Sequence, residues 1–162
     1  MAARPPLPRV AQAGEYSWDL YEEKNAKIFV NEFNEVANSR VTVNGVSQPP
    51  DGLLLELRKA ELMKLMNRAE QGLLESPNKD GWNEWGPAGS NPSMWEIRHE
   101  WNKHEQIRIY HGEPRSHPKQ LVACGCQIKI YRNNKLTDLI HKIQTNFIRT
   151  ATHRFELWCL KS

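Results

Sequence analysis

Five side chains in the second half of the chain have the types and spacing to hold a phosphodiester. The run "EQIRIYHG" (105–112) alternates, with Gln106, Arg108 and Tyr110 on one side and Ile107 and Ile109 on the other. In "MWEIRHEW" (94–101) Met94, Glu96, Arg98 and Glu100 share a side, opposite Trp95, Ile97, His99 and Trp101. In "KQLVACGCQIKIY" (119–131) Gln127 and Lys129 form the polar side, and Val122, Cys124, Cys126, Ile128 and Ile130 the apolar one. A period of two sends alternate side chains to opposite faces. Packing the three apolar sides on one core would therefore gather Arg98, Arg108, Tyr110, Gln127 and Lys129 on the other face, with Tyr131 and Arg132 at its edge. Arginine offers forked donors to phosphate oxygens. Tyrosine can stack on a base or move a proton. In RNA the 2′-OH is itself a nucleophile, so a protein need only align it, take its proton, stabilise the pentacovalent charge and protonate the leaving oxygen. The plainer alternative is that Arg98 and Arg108 pair with Glu96, Glu100 or Glu105, an ordinary device of sheets.

His111, beside Tyr110, is a candidate general acid or base because histidine titrates near neutrality. By alternation, however, it points with Ile107 and Ile109. "CGC" has a chelating look, yet structural zinc sites space their cysteines by two to four residues. Cys124 and Cys126 read instead as small buried residues of a tight strand, and no metal is expected. The chain has no P-loop, no dinucleotide glycine fingerprint and no G-x-S-x-G.

These strands need a scaffold. "SWDLYEEKNAKIFVNEFNEVANS" predicts a helix from about Ser17, with Trp18, Tyr21, Ile28, Phe29, Phe33 and Val36 as its stripe. "LLLELRKAELMKLMNRAEQGLLES" predicts a second, with Leu54, Leu57, Glu61, Leu62, Leu65 and Met66 on one face and Gly72 near its end. An Asn-Gly turn signal lies in the loop between them. "KLTDLIHKIQTNFIRTATHRFELW" predicts a closing helix with Leu136, Leu139, Ile140, Ile143, Phe147 and Ala151 on one face. The order predicts an α+β domain, residues 16–162, in which two or three helices cover one face of a small antiparallel sheet and leave the other partly open. Residues 1–15, rich in Pro and Ala, read as a flexible N-terminal arm.

Charge is divided along the chain. Residues 1–90 hold 10 Lys/Arg against 13 Asp/Glu, whereas residues 91–162 hold 12 against 6 and all six histidines. The basic second part calls for an anionic partner. No apolar run reaches the ~18 residues of a membrane span, and the first residues lack the apolar centre of a secretory signal. Three cysteines, an odd number, do not make a disulfide framework. A cytoplasmic protein is expected.

The pattern "LRKAELMKLMNRAEQGLLES…GWNEW…SMWEIRHEWNKHEQIRIYH…KQLVACGCQIKIYRNNKLTDLIHKIQTNFIRTATHR" resembles the RelE/ParE toxin superfamily, closest to its HigB-like branch, over about residues 54–154. In that branch a helical pair precedes a "WEIR"-type strand, a second strand carries "R-I-Y", a third ends in glycine and then lysines, and a helix closes the domain. The resemblance implies a RelE-like fold and a toxin of a toxin–antitoxin pair. The activity implied is ribosome-dependent mRNA endonuclease action that inhibits translation, with mRNA on the ribosome and a cognate antitoxin as partners, no membrane and no cofactor. Arg108 matches the strand arginine that contacts the scissile phosphate, and Lys129 one of the lysines after the third strand. Tyr131 and Arg132 fall near the late catalytic positions. Tyr110 and His111 complete the candidate catalytic set, and Arg98, Gln127 and Lys135 are candidate RNA contacts. Two departures stand out: Ile128-Lys129 replaces a lysine pair, and "CGC" replaces the usual glycine centre. A ParE-like non-enzymatic toxin, or an RNA- or protein-binding module, is the alternative on the same fold.

Overall fold

The computed structural model describes residues 3–102, 104–130 and 137–162, and the side chains of these except Thr137. Tyr131, Arg132 and Lys135 lie outside the described residues. The alternating runs form strands as their period demands: β5 Met94–Asn102, β6 Glu105–Gly112 and β7 Gln120–Ile130. They follow β1 Ser17–Leu20, α1 Ile28–Ala37, the short strands β2 Val41–Val43 and β3 Val46–Gln48, α2 Gly52–Glu70 and β4 Trp85–Pro87. Helix α3, Thr137–Lys161, closes the chain.

The main sheet has five strands in the order β1-β7-β6-β5-β4. β1 runs parallel to β7, and every other neighbour is antiparallel. The expected antiparallel sheet is thus a mixed one, because Ser17–Leu20 is a strand and not the start of a helix. Trp18 and Leu20 alternate onto the core, and pairing with the exposed edge of β7 overrides the local helical stripe. Lys24 and Asn25 then take left-handed φ values of 48° and 69°. That breaks any continuous helix and turns the chain into α1.

α2 is capped by Asp51, whose side chain accepts from the Leu54 amide at 2.8 Å. It ends at Gly72, whose φ is 68° and where a Cβ would lie 1.9 Å from the Gln12 carbonyl oxygen. Arg58, Leu62, Leu65, Met66 and Ala69 form its buried side. Leu57 and Glu61, expected there, face outward. The Asn44-Gly45 pair, both at positive φ, makes the tight β2–β3 hairpin.

Helices cover both faces of the sheet. Ile97, Ile107, Ile109, Leu121 and Cys126 are buried with Phe29, Phe33 and Val36 of α1 and Leu62, Leu65 and Met66 of α2. Met94, Tyr110, Val122 and Cys124 are buried with Ala151 and Phe155 of α3. The open second face expected from sequence is therefore closed. The two cysteines do not share a face either. A register shift in β7 opposite Tyr110 and His111 inserts one residue, and a bulge of that kind reverses the alternation beyond it. Residues 1–15 read as a loose arm, but the described part is docked. Val10 is fully buried. Arg9 donates to the carbonyls of Pro114, His117 and Gln120 at 2.8–3.0 Å. Arg4 donates to those of Gly89, Asn91 and Met94.

Candidate functional site

Register fixes the site. Arg98 of β5 stands opposite Arg108 of β6, which stands opposite Gln127 of β7. One step along, Glu100, Gln106 and Lys129 are aligned in the same way; one step back come Glu96, Tyr110 and Gly125. Even spacing across three strands thus brings Arg98, Arg108, Tyr110, Gln127 and Lys129 onto one face, as alternation requires.

That face lies beneath the first turns of α3, and it is a network of pairs. Arg98 Nε donates to Glu96 Oε1 at 2.7 Å. Arg108 Nη2 donates to Gln106 Oε1 at 2.7 Å, and Gln106 Nε2 to Glu100 Oε1 at 2.8 Å. Gln144 of α3 links helix to sheet: its Oε1 accepts from Lys129 Nζ at 2.6 Å, and its Nε2 donates to Glu96 Oε2 at 3.4 Å. Tyr110 donates to Gln127 Oε1 at 2.8 Å. Arg108 and Lys129 are each only 7% exposed and Tyr110 not at all. The plainer sequence reading, arginines matched to Glu96 and Glu100, accounts for part of this arrangement. It does not account for all of it. Two guanidinium groups, those of Arg98 and Arg108, share the buried Glu96 carboxylate, and Arg108 Nε is buried without a hydrogen bond, 3.9 Å from Glu96 Oε1.

Two expected members behave differently. Tyr110 has its phenol pushed well above the ordinary value of 10.0, first by burial and then by Glu96. It is a locked hydrogen-bond donor and a poor proton shuttle. His111 sits on the opposite face, fully buried, 3.2 Å from Glu113 Oε1 and edge-on to Trp18. It does not reach the cluster. The expected roles of Tyr131, Arg132 and Lys135 fall on residues outside those described.

The cluster is reached from its β5–β6 end. A cavity of about 320 Å³ is lined there by Trp82, Asn83, Arg98, Glu100, Gln106 and Arg108. Gly86 of β4 leaves room for the Arg98 guanidinium in its present position, since an added Cβ would lie 2.1 Å from Nη2. Sequence reasoning did not assign Glu96, Gln144, Gly86 or Trp82 to the site. For Glu96 the signal was its place beside Arg98 on one side of the strand. For Gln144 it was a polar residue one turn from Ile140 and Phe147 on an otherwise apolar helix face. Gly86 and Trp82 had no such signal. Among the described residues no group of three or more His, Cys, Asp or Glu could hold a metal ion, and no helix is long and apolar enough to cross a membrane. No family model, no curated protein and no solved structure matches the chain.

Proposed function

We propose that the protein is a toxin of the RelE kind that engages the phosphodiester backbone of mRNA on the ribosome at the Arg98–Arg108 cluster. The observation that carries this reading is the convergence of two guanidinium groups on one carboxylate, at a cavity open to solvent. Arginine is the residue of choice for phosphate because its planar fork is pre-organised and weakly hydrated. The element order supports it in part: α2 precedes the "WEIR" strand, the "R-I-Y" strand, a third long strand and a closing helix, with β4 between α2 and the first of these strands. In cleavage, the 2′-OH attacks phosphorus as the P–O5′ bond breaks, leaving a 2′,3′-cyclic phosphate and a protonated 5′-OH, and no metal is required in principle. Arg108 would stabilise the pentacovalent charge, with Arg98 holding the adjoining phosphate. Lys129, beneath α3, adds positive field. Proton transfer falls to Tyr131, since Tyr110 and His111 are not placed for it, and Arg132 would bind phosphate. The neutralising partner would be an antitoxin with an acidic surface, in the cytoplasm.

A second reading, binding without cleavage, is favoured by the burial of Tyr110 and by His111 lying on the other face. Reconstituted translation with chelator present separates the two. Ribosome-dependent cuts that survive chelation and disappear in Arg108→Gln support the endonuclease. Intact message with salt-sensitive RNA binding that Arg98→Gln abolishes supports the binder. Intact message without RNA binding removes both.

A further inference from the structure

We infer that Trp82 is a base-stacking platform, so that the cavity of about 320 Å³ holds one unstacked nucleotide of single-stranded RNA, phosphate on the arginines and base on the indole. The inference rests on reading Arg98 and Arg108 as a phosphate site, and it adds what selects the ligand.

Three observations carry it. First, the cavity is lined by two elements of different chemistry: Arg98, Glu100, Gln106 and Arg108 of the sheet, and Gly81, Trp82 and Asn83 of the loop before β4. Arg108 Nε, buried and without a hydrogen bond, marks a guanidinium that the protein's own acceptors do not fully match. Second, Trp82 is only half-buried, and it lines both this cavity and the neighbouring one of about 510 Å³. Its ring rests against His99, which lines the same cavity, ring centroids 6.3 Å apart. Third, the loop that carries Trp82 is built rigidly. Asn78 Oδ1 accepts from the Asp80 and Trp82 amides, and the Asn78 amide donates to the Trp82 carbonyl at 2.9 Å. Glu84, 4% exposed, accepts from Arg68 at 2.5 and 3.0 Å and from the Glu75 amide at 2.7 Å. An aromatic side chain fixed on such a loop loses little entropy when a ring settles on it.

The volume lies at the lower end of the ~300–1,000 Å³ range of small-ligand sites. That suits one nucleotide and excludes a helix. Stacking tolerates any base, since each has a π-face, and it requires a base that is splayed out, which a duplex does not offer. His99, held 3.2 Å from Glu61, is a positioning residue for the indole.

The test is binding of a fluorescent single-stranded RNA of about ten nucleotides, within known site sizes for single strands, to the full chain. Tripolyphosphate is the second probe. Trp82→Ala should weaken RNA binding about tenfold and leave tripolyphosphate binding unchanged. Trp82→Phe should recover most of the loss, which a merely misfolded loop would not. The same RNA annealed to its complement should bind more weakly than the single strand. If Trp82→Ala binds the single strand like the parent while Arg98→Gln does not, the phosphate site stands and the stacking platform is overturned. If single strand and duplex bind alike, the platform is overturned as well. If neither RNA nor tripolyphosphate binds the parent chain, the phosphate reading and the platform fall together.

Discussion

The two faces of the sheet are made from alternate residues of the same strands, and they are held together differently. Beneath α1 and α2 the surface is mainly apolar across β5, β6 and β7, the buried His111–Glu113 pair apart, with Ile97, Ile107 and Ile109 fully buried among phenylalanine, leucine and methionine. Beneath α3 it is divided. Met94, Val122, Cys124 and Phe155 pack one end, while Glu96, Arg98, Arg108, Gln127 and Lys129 fill the other. An apolar face gains free energy roughly in proportion to area removed from water and needs only volume and shape to match. A buried polar face holds only while each donor has an acceptor, because an orphaned group costs more than a made bond returns. The first face is a foundation; the second retains donors whose partners can be exchanged for a ligand's.

The largest effect should come from the foundation. Ile109→Ala removes a fully buried side chain at the centre of the sheet and should lower stability by about 2–5 kcal/mol, read as a fall in the urea midpoint. RNA affinity per folded molecule should stay as in the parent. A large loss of affinity in the folded fraction would mean that the two faces are not separable.

Glu96→Gln sharpens the contrast from the other side. Arg98 and Arg108 lose their shared carboxylate, and Gln144 loses an acceptor. Stability should fall by about 1.5–3 kcal/mol, the range for a hydrogen bond to a charged group. Affinity for tripolyphosphate should rise, because the uncompensated positive charge of the site increases by one. A stability loss with no gain in anion affinity would make the cluster a structural network like any other, and the division between the faces would lose its functional meaning.

How far the sequence disclosed this arrangement follows from the range of the interactions involved. The period of two in 94–112 and 119–131 is local, and it put Arg98, Arg108, Tyr110, Gln127 and Lys129 on the one face that the register gives them. The Asn44-Gly45 hairpin and the cap at Asp51 are local as well. What sequence missed depends on distant partners. Residues 17–20 carry a helical stripe, yet the edge of β7 recruits them as a strand. The bulge opposite Tyr110 and His111 sends Cys124 and Cys126 to opposite faces, and no residue-level period announces it. Arg4 and Arg9 dock the first residues through carbonyls some 85–111 positions away. The covering of the polar face by α3 was hidden because its apolar stripe fits either side of a sheet. In its first turns that stripe is not buried: Leu139 and Ile143 remain 54% and 43% exposed.

The smallest effect is the most discriminating about how tightly the polar face is closed. Tyr110 is ionised only with difficulty in the folded chain, since burial and Glu96 both oppose a phenolate there. Its folded pKa therefore lies above the unfolded one, and the folded state binds more protons once the pH exceeds the ordinary value of 10.0. The stability this contributes is complete below about pH 10 and is lost as pH rises from there toward the folded pKa, at up to ~1.4 kcal/mol per pH unit. Cys124 and Cys126 shift in the same direction through burial, from 9.0, so the decline in the parent begins near pH 9. Tyr110→Phe should cost about 1 kcal/mol at neutral pH through the hydrogen bond lost to Gln127. It should then narrow its deficit above about pH 10, where the parent alone has a phenol to keep neutral. Unfolding both proteins in denaturant across this range gives the difference directly. Curves that stay parallel to about pH 11 would show a phenol that ionises freely in the folded chain, and a polar face as open to water as the sequence alone suggested.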